Sequence, residues 1–157
     1  VSTSRYLMQQ ENVGAYLTKF KKEIQQRLEA FYSGFMTLKK EWFRVDAIAP
    51  QAAIYLTVNM NLRQMKKEDG NLIQSTSDIT KYILEEAKTA IVPFHAFGDS
   101  ANSTWYRLSV GTCQLEEVDK VVNKLRNALS KLRWLYKDQA YLYLMTSKIS
   151  VYITTFA

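Results

Sequence analysis

The stretch IVPFHAFGDSANSTWYRLSVG, residues 91–111, organises the predicted fold. Its second half alternates between apolar and more polar side chains, which predicts a strand whose buried face is formed by Tyr106, Leu108 and Val110. Arg107 lies on the opposite face, beside Trp105 and Ser109. A guanidinium there can hold a planar carboxylate through two parallel hydrogen bonds, which a lysine ammonium cannot do. The alternative is a solvated strand arginine in a surface ion pair.

Composition predicts one globular domain, because 47% of the 157 residues are hydrophobic and only two are proline. The single Cys113 excludes an internal disulfide and favours a reducing compartment, so a cytoplasmic protein is predicted. The chain opens with Val1 and lacks the layout of a signal peptide, which indicates a piece of something longer. The most apolar run, residues 140–157, is interrupted by polar residues, so no membrane span is predicted.

The net charge of +6 raises the question of nucleic-acid binding. The excess of lysine and arginine lies at the two ends of the chain, in residues 1–44 and 116–157. There the basic residues alternate with acids on the polar sides of predicted helices, which is typical of a solvated face, so no nucleic-acid partner is predicted. The remaining RNA-binding alternative requires Tyr55 and Trp105 to share an open face with arginines around them.

Hydrophobic spacing predicts three helices. In residues 11–40, apolar side chains recur every three or four positions and define one core-facing stripe, with Gly34 marking a bend or a close helix crossing. A second helix is predicted to start at Ser77 and end near Lys88. Its predicted inner face consists of Ile79, Tyr82, Ile83 and Ala87. The third helix starts near Leu115, where acidic residues suit the helix dipole, and its apolar stripe continues to Leu135.

The remaining segments predict strands and loops. Residues 42–50 read as a short strand or extended connection, because Pro50 disfavours helix in the residue before it. Residues 53–60 alternate as a half-buried strand, and residues 63–75 form a polar hairpin or loop.

The resulting order of helix, strand, helix, strand, strand and helix predicts an α/β fold with two layers. It would have a long N-terminal helix, a small mixed sheet and all helices on one face. The polar sheet face would then be uncovered and would require a partner surface, either another domain or another chain. That face is predicted to carry Tyr55, Thr57, Asn59, Trp105, Arg107 and Ser109.

Three motifs in series carry a family resemblance: PQAAIYLTVNM, then ILEEAKTAIVPFHAFG, then WYRLSVG followed by LEEVDKVVNKLRNAL. Together they resemble the C-terminal small domain of a pyridoxal-phosphate-dependent aminotransferase of fold type I, the aspartate aminotransferase class. The resemblance implies a small domain over residues 1–133, with a long interdomain helix in residues 1–40. Residues 134–157 would be a C-terminal extension, forming a β-hairpin, an arm onto a neighbour, or a helix followed by disorder.

The resemblance also implies a role for Arg107. The family motif of aromatic residue, arginine, small or apolar residue and serine is matched by residues 106–109, and its arginine binds the α-carboxylate of the substrate. The family's Schiff-base lysine and its pyridinium-binding aspartate have no counterpart context in this sequence. The resemblance therefore implies a fragment of an enzyme that transfers an amino group between an amino acid and a 2-oxo acid. The intact enzyme is expected to bind pyridoxal phosphate and to form a homodimer. The fragment alone is expected neither to bind the cofactor nor to catalyse the reaction.

Two other residues invite functional interpretations. His95 is the only histidine and is interpreted as a loop residue because no acidic partner is near it in sequence. Cys113 lies at a predicted helix start, where its thiol pKa could fall, but capping is the favoured role. No metal site is predicted. Gln51, Ala52 and Ala53 stand where many family members have a glycine, which removes a flexible point.

A functional alternative from another class is a free-standing α/β protein-interaction module without catalysis. It predicts that Arg107 is paired with a carboxylate of its own chain and that the C-terminal tail completes the fold.

Overall fold

The computed structural model describes residues 10–134 of the chain. Its helices are α1 (Gln10–Lys40), α2 (Thr76–Ala87) and α3 (Val118–Ser130). Its strands are β1 (Val45–Ala47), β2 (Tyr55–Met60), β3 (Met65–Lys66), β4 (Val92–Pro93), β5 (Trp105–Ser109) and β6 (Arg133–Trp134). Two 3₁₀ turns occur at Phe94–Phe97 and Leu115–Glu117. Within the described part, no helix combines the length and apolar character needed to cross a membrane.

The main sheet has four strands in the order β1-β2-β5-β4. Every pairing in it is antiparallel, so the prediction of a mixed sheet is wrong. The physical reason is that strand direction depends on which strands become neighbours in the sheet, and strand patterning alone does not reveal it. β5 lies between β2 and β4, with Arg107 opposite Thr57 on one side and Val92 on the other.

The two-layer α/β fold predicted from the sequence is confirmed. The inward side chains of the sheet are buried beneath the helices: Leu56, Val58, Met60, Tyr106 and Leu108. Their neighbours along each strand lie on the opposite face and are partly or fully exposed. The helices therefore cover one face of the sheet, and among the described residues no helix covers the other.

Only the C-terminal part of α1 is core. Its buried residues are Ile24, Leu28, Phe31, Phe35 and Leu38. The prediction that the whole apolar stripe is core is wrong for the first turns, because Tyr16 is 57% and Phe20 37% exposed and their rings stack on each other at 6.0 Å. A helix of 31 residues is about 46 Å long at 1.5 Å per residue, whereas the longest strand has six residues. The first turns of α1 therefore extend beyond the sheet.

The helix α2 shows both a confirmed face and a shifted start. Its predicted inner face is buried as expected. The helix begins at Thr76, with Ser75 as N-cap, and not at Ser77. The Ser75 hydroxyl accepts from the Asp78 N–H at 3.1 Å, while the Asp78 carboxylate accepts from the Ser75 N–H at 2.8 Å. This reciprocal pairing satisfies two backbone donors that the first turn would otherwise leave free.

The start of α3 differs from the prediction of a Cys113 cap. The Glu117 carboxylate accepts from the Gln114 N–H at 2.8 Å, so Gln114, and not Cys113, caps the 3₁₀ turn that leads into α3. The apolar stripe outlasts the helix, since α3 ends at Ser130 and Leu132 is still buried. The chain then pairs with the polar segment that follows β2, through antiparallel β3 and β6. The predicted C-terminal extension otherwise lies outside the described residues.

Candidate functional site

Arg107 lies at the centre of β5, on the sheet face that no described helix covers. Because β5 is an inner strand, the backbone of Arg107 is fixed by pairing on both sides, with Thr57 of β2 and Val92 of β4. The side chain is half-buried, whereas those of Tyr106 and Leu108 on either side point into the core. The sheet therefore holds a guanidinium at a defined position on an open surface, as the alternation of the sequence predicts.

Three aromatic rings surround the Arg107 guanidinium. Its Cζ lies 3.9 Å from the ring centroid of Phe97, 5.5 Å from that of Phe94 and 5.9 Å from that of Tyr55. All three distances are within the range of cation–π attraction. Tyr55 comes from β2, while Phe94 and Phe97 come from the turn after β4, so the rings reach Arg107 from the strands on both sides of it. We call Tyr55, Phe94 and Phe97 the aromatic cage.

Local chain geometry explains why two cage residues lie together. Pro93 precedes the turn with φ −71°, and Gly98 ends it with φ 92°, a left-handed conformation that glycine adopts without steric cost. The Gly98 N–H donates to the His95 carbonyl at 3.2 Å and the Asp99 N–H to the Phe94 carbonyl at 3.3 Å. In a 3₁₀ turn, side chains three positions apart are aligned, which places the two phenylalanine rings on one side.

Arg107 forms no ion pair with any carboxylate of the described residues. Neither the surface ion pair nor the internal carboxylate that the interaction-module hypothesis predicts occurs in residues 13–133. A cation–π contact uses none of the five N–H donors of an arginine, and none of these donors of Arg107 has an acceptor among the described residues. Such a group can still bind a carboxylate, and two parallel hydrogen bonds fit its planar geometry.

Other polar side chains also lie on the open face, and one of them is hydrogen-bonded within it. The Asn59 side-chain N–H₂ donates to the Thr104 hydroxyl at 2.9 Å, which ties the end of β2 to the residue before β5. Trp105 is half-buried at the same end, and Ser109 is exposed at the other end of β5. The described face thus combines the Arg107 guanidinium with aromatic rings and with the hydroxyls of Tyr55, Thr57 and Ser109.

Sequence reasoning identified Arg107 and Tyr55 on this face but missed Phe94 and Phe97. The sequence predicts His95 as a loop residue and assigns no role to the two phenylalanines on either side of it. The available signal was the pair of rings three positions apart between Pro93 and Gly98, which is the spacing of one 3₁₀ turn. His95 lies between them with an exposed side chain.

Cys113 and the acidic residues offer no competing site. Burial, followed by the nearby Glu117 carboxylate, raises the pKa of the Cys113 thiol, which opposes the reactive thiolate that a helix start could favour. The thiol donates to the Gln114 carbonyl at 3.2 Å. Within residues 13–133, no group of three or more histidine, cysteine, aspartate or glutamate side chains is placed to hold a metal ion.

The described residues do not fit pyridoxal phosphate. A Schiff-base lysine must reach the cofactor from a desolvated position that favours its neutral amine. Every lysine between residues 13 and 133 is exposed, except Lys67, which is partly buried and lies 3.5 Å from the Asp69 carboxylate. We therefore derive no chemical step through the cofactor from this chain.

Comparisons with known proteins agree with the fold and with the family resemblance. A protein of Rickettsia conorii described as a probable aspartate/prephenate aminotransferase is 33% identical over 85 residues, covering 54% of this chain and 20% of that protein. The aspartate aminotransferase of Rhizobium meliloti aligns in structure with a TM-score of 0.61 and 24% identity, over 71% of this chain and 26% of that one. The alanine aminotransferase of Pyrococcus furiosus aligns with a TM-score of 0.57 and 14% identity, over 74% of this chain and 26% of that one.

The matches also show what share of each relative's length this chain covers. The chain spans about a fifth of the length of the curated relatives it matches. The sequence pattern of the family described as Aminotransferase class I and II matches residues 2–125, most of the chain. The chain therefore belongs to the class I and II aminotransferase family.

Proposed function

We propose that this chain is the small domain of a pyridoxal-phosphate-dependent aminotransferase and that Arg107 binds the α-carboxylate of its amino-acid and 2-oxo-acid substrates. The observation that carries the proposal is an arginine fixed at the centre of an open sheet face, without a carboxylate partner among the described residues. Family membership supplies the reaction class. The open face would be covered by the rest of the enzyme, with substrate between the two surfaces.

The chemical task of Arg107 in this proposal is orientation. Two parallel hydrogen bonds fix both the position and the plane of a carboxylate, which a single point charge does not do. A substrate held in this way keeps its amino group and its Cα–H bond at a constant place relative to the reacting groups. In well-oriented systems, orientation lowers the activation barrier by roughly 7 kcal/mol or more. Arg107 itself transfers no proton, because its guanidinium stays protonated.

The cofactor and the proton-transferring lysine belong, in this proposal, to the part of the enzyme outside this chain. When bound there, pyridoxal phosphate supplies the electron sink for the chemistry at Cα. The chain alone is then expected to be inactive. We further propose that the intact enzyme is a cytoplasmic homodimer. The single Cys113 is consistent with a cytoplasmic location, and the open sheet face is consistent with a partner surface.

Steady-state kinetics of the complete enzyme, expressed from the full gene, test the role of Arg107. We expect Arg107→Ala to reduce kcat/KM for amino-acid substrates by about 100-fold or more, since it removes a charged, bidentate contact. Arg107→Lys should recover only part of this loss. The visible absorbance band of the bound cofactor should stay unchanged in both variants, because Arg107 does not hold the cofactor.

The matched control is Arg133→Lys, a change at an exposed arginine of β6. It should keep the activity of the unchanged enzyme. Equal activity of the Arg107→Ala enzyme and the unchanged enzyme would disprove carboxylate binding by Arg107. A full gene product that binds no cofactor would instead favour the interaction-module alternative.

A further inference from the structure

We propose that Phe97, assisted by Phe94, is a positioning residue that sets the plane of the Arg107 guanidinium and so makes it ready for a carboxylate. This inference rests on the proposed function of Arg107. It concerns the turn Phe94–Phe97, to which neither the family motif around Arg107 nor the comparisons assign a role. The observation behind it is the close approach of the Phe97 ring centroid, 3.9 Å from the guanidinium carbon.

The contact with Phe97 restricts a side chain that is otherwise free. Arginine has about 2 kcal/mol of rotamer entropy to lose when it is immobilised. In the described structure no hydrogen bond or ion pair holds the guanidinium of Arg107, so the rings are the groups that limit its rotation. A ligand that binds an already ordered guanidinium loses less entropy, which is the general advantage of preorganisation.

The chemistry of the ring contact also leaves the binding groups free. A ring against the face of the guanidinium attracts its charge through the π-electrons and forms no hydrogen bond. The N–H donors at the rim are therefore kept for a planar anion. A hydrogen-bonded carboxylate partner would order the arginine equally well, but it would occupy the donors that the substrate requires.

The exposure of Phe97 separates this role from a structural one. Its side chain is 54% exposed, and it lies outside the buried core. Replacement by leucine removes the π face but keeps an apolar side chain on the same turn. Such a change at an exposed position has a small effect on folding, so a loss of carboxylate binding can be assigned to the lost contact.

The test uses the 157-residue chain and pyruvate, a 2-oxo acid with one carboxylate, followed by NMR of the Arg107 side chain. Without pyruvate, the side-chain protons of Arg107 should show a ring-current shift that Phe97→Leu reduces, because the Phe97 ring is the nearest of the three. With pyruvate, we expect Phe97→Leu to raise the dissociation constant about three- to tenfold, and Phe97→Tyr, which keeps the ring, to stay within about twofold. Phe20→Leu, at an exposed phenylalanine of α1, is the control and should change neither quantity.

The possible results separate the two proposals. If Phe97→Leu binds pyruvate as tightly as the unchanged chain, or if Arg107 shows no ring-current shift at the outset, the positioning role is overturned and carboxylate binding by Arg107 stands. If Arg107→Lys binds pyruvate as tightly as the unchanged chain, the proposed function itself fails, and the positioning role fails with it.

Discussion

At the scale of single residues, Ala53 has a backbone conformation that its type does not favour. Its φ is 69°, in the left-handed region, where a Cβ atom is crowded by the neighbouring carbonyl. Ala53 thus adopts a conformation that glycine adopts without steric cost. The chain therefore tolerates local strain just before β2.

Replacing Ala53 by glycine should relieve this strain. We expect Ala53→Gly to increase the free energy of unfolding by about 0.5–1 kcal/mol, because the left-handed conformation costs alanine about 1–2 kcal/mol and the added freedom of glycine in the unfolded chain offsets part of the gain. The measurement is the urea concentration at the midpoint of unfolding, compared between variants that show the same dependence of the unfolding free energy on urea concentration. The neighbouring Ala52→Gly is the matched control, since Ala52 has no positive φ, and it should decrease stability by about 0.4–1 kcal/mol. Equal losses from both changes would contradict the strain at Ala53.

At the scale of secondary-structure elements, a glycine determines how α1 and α3 cross. A Cβ atom added at Gly34 would lie 2.5 Å from the Val122 Cγ2 atom, which is closer than side-chain atoms approach. The crossing anticipated at Gly34 is thus a close approach of the two helices. Glu41, just beyond α1, reinforces the same pair of helices by a contact of 2.8 Å with Arg126 of α3.

The α1–α3 crossing predicts opposite results for two glycines of one helix. Gly34→Ala should decrease the free energy of unfolding by about 1–2 kcal/mol, because overpacking exceeds the higher helix propensity of alanine. Gly14→Ala should increase it by up to about 1 kcal/mol, since nothing lies within 4 Å of the added Cβ atom. Thermal unfolding of both variants tests this. Adding Val122→Ala to Gly34→Ala should cost less than the two separate changes together, and strict additivity would refute the contact.

At the scale of the whole molecule, the core contains two tyrosine hydroxyls that differ in their partners. The Tyr82 hydroxyl donates to the Ala128 carbonyl at 2.7 Å, linking α2 to α3. The Tyr106 hydroxyl has no hydrogen-bond partner among the described residues. Burial raises the pKa of both phenols to about 12, with nearby carboxylates, Glu86 first, adding to the effect at Tyr82.

These raised pKa values predict a loss of stability at high pH. Well below pH 10 both phenols are neutral in the folded and unfolded chains. As the pH rises through 10 towards 12, the phenols of the unfolded chain ionise first, so unfolding becomes easier. Each tyrosine should remove roughly 2–3 kcal/mol of stability by pH 12. Urea unfolding at a series of pH values should show a shallower loss in Tyr82→Phe and in Tyr106→Phe. Tyr16→Phe, a change at an exposed ring, should follow the unchanged chain, and a shallower loss in that variant would contradict the assignment.

The sequence by itself determined the local features, because each depends on spacing within one element. The inner face of α2, the strand containing Arg107 and the side of the sheet on which Arg107 lies all follow from periods of 3.6 or 2 residues. The family motif around Arg107 was also readable from neighbouring residues. The start of α2 was missed by one position, at Ser77 and not at Thr76, because the start depends on the reciprocal contact between Ser75 and Asp78.

Only the tertiary structure decided the features that join distant parts of the chain. Strand direction, the exposure of Tyr16 and Phe20, and the enclosure of Arg107 by Tyr55 and Phe97 depend on which elements become neighbours. The physical reason is that periodicity identifies an apolar face but not what covers it, so one stripe along α1 is buried where the sheet reaches it and exposed where the sheet ends.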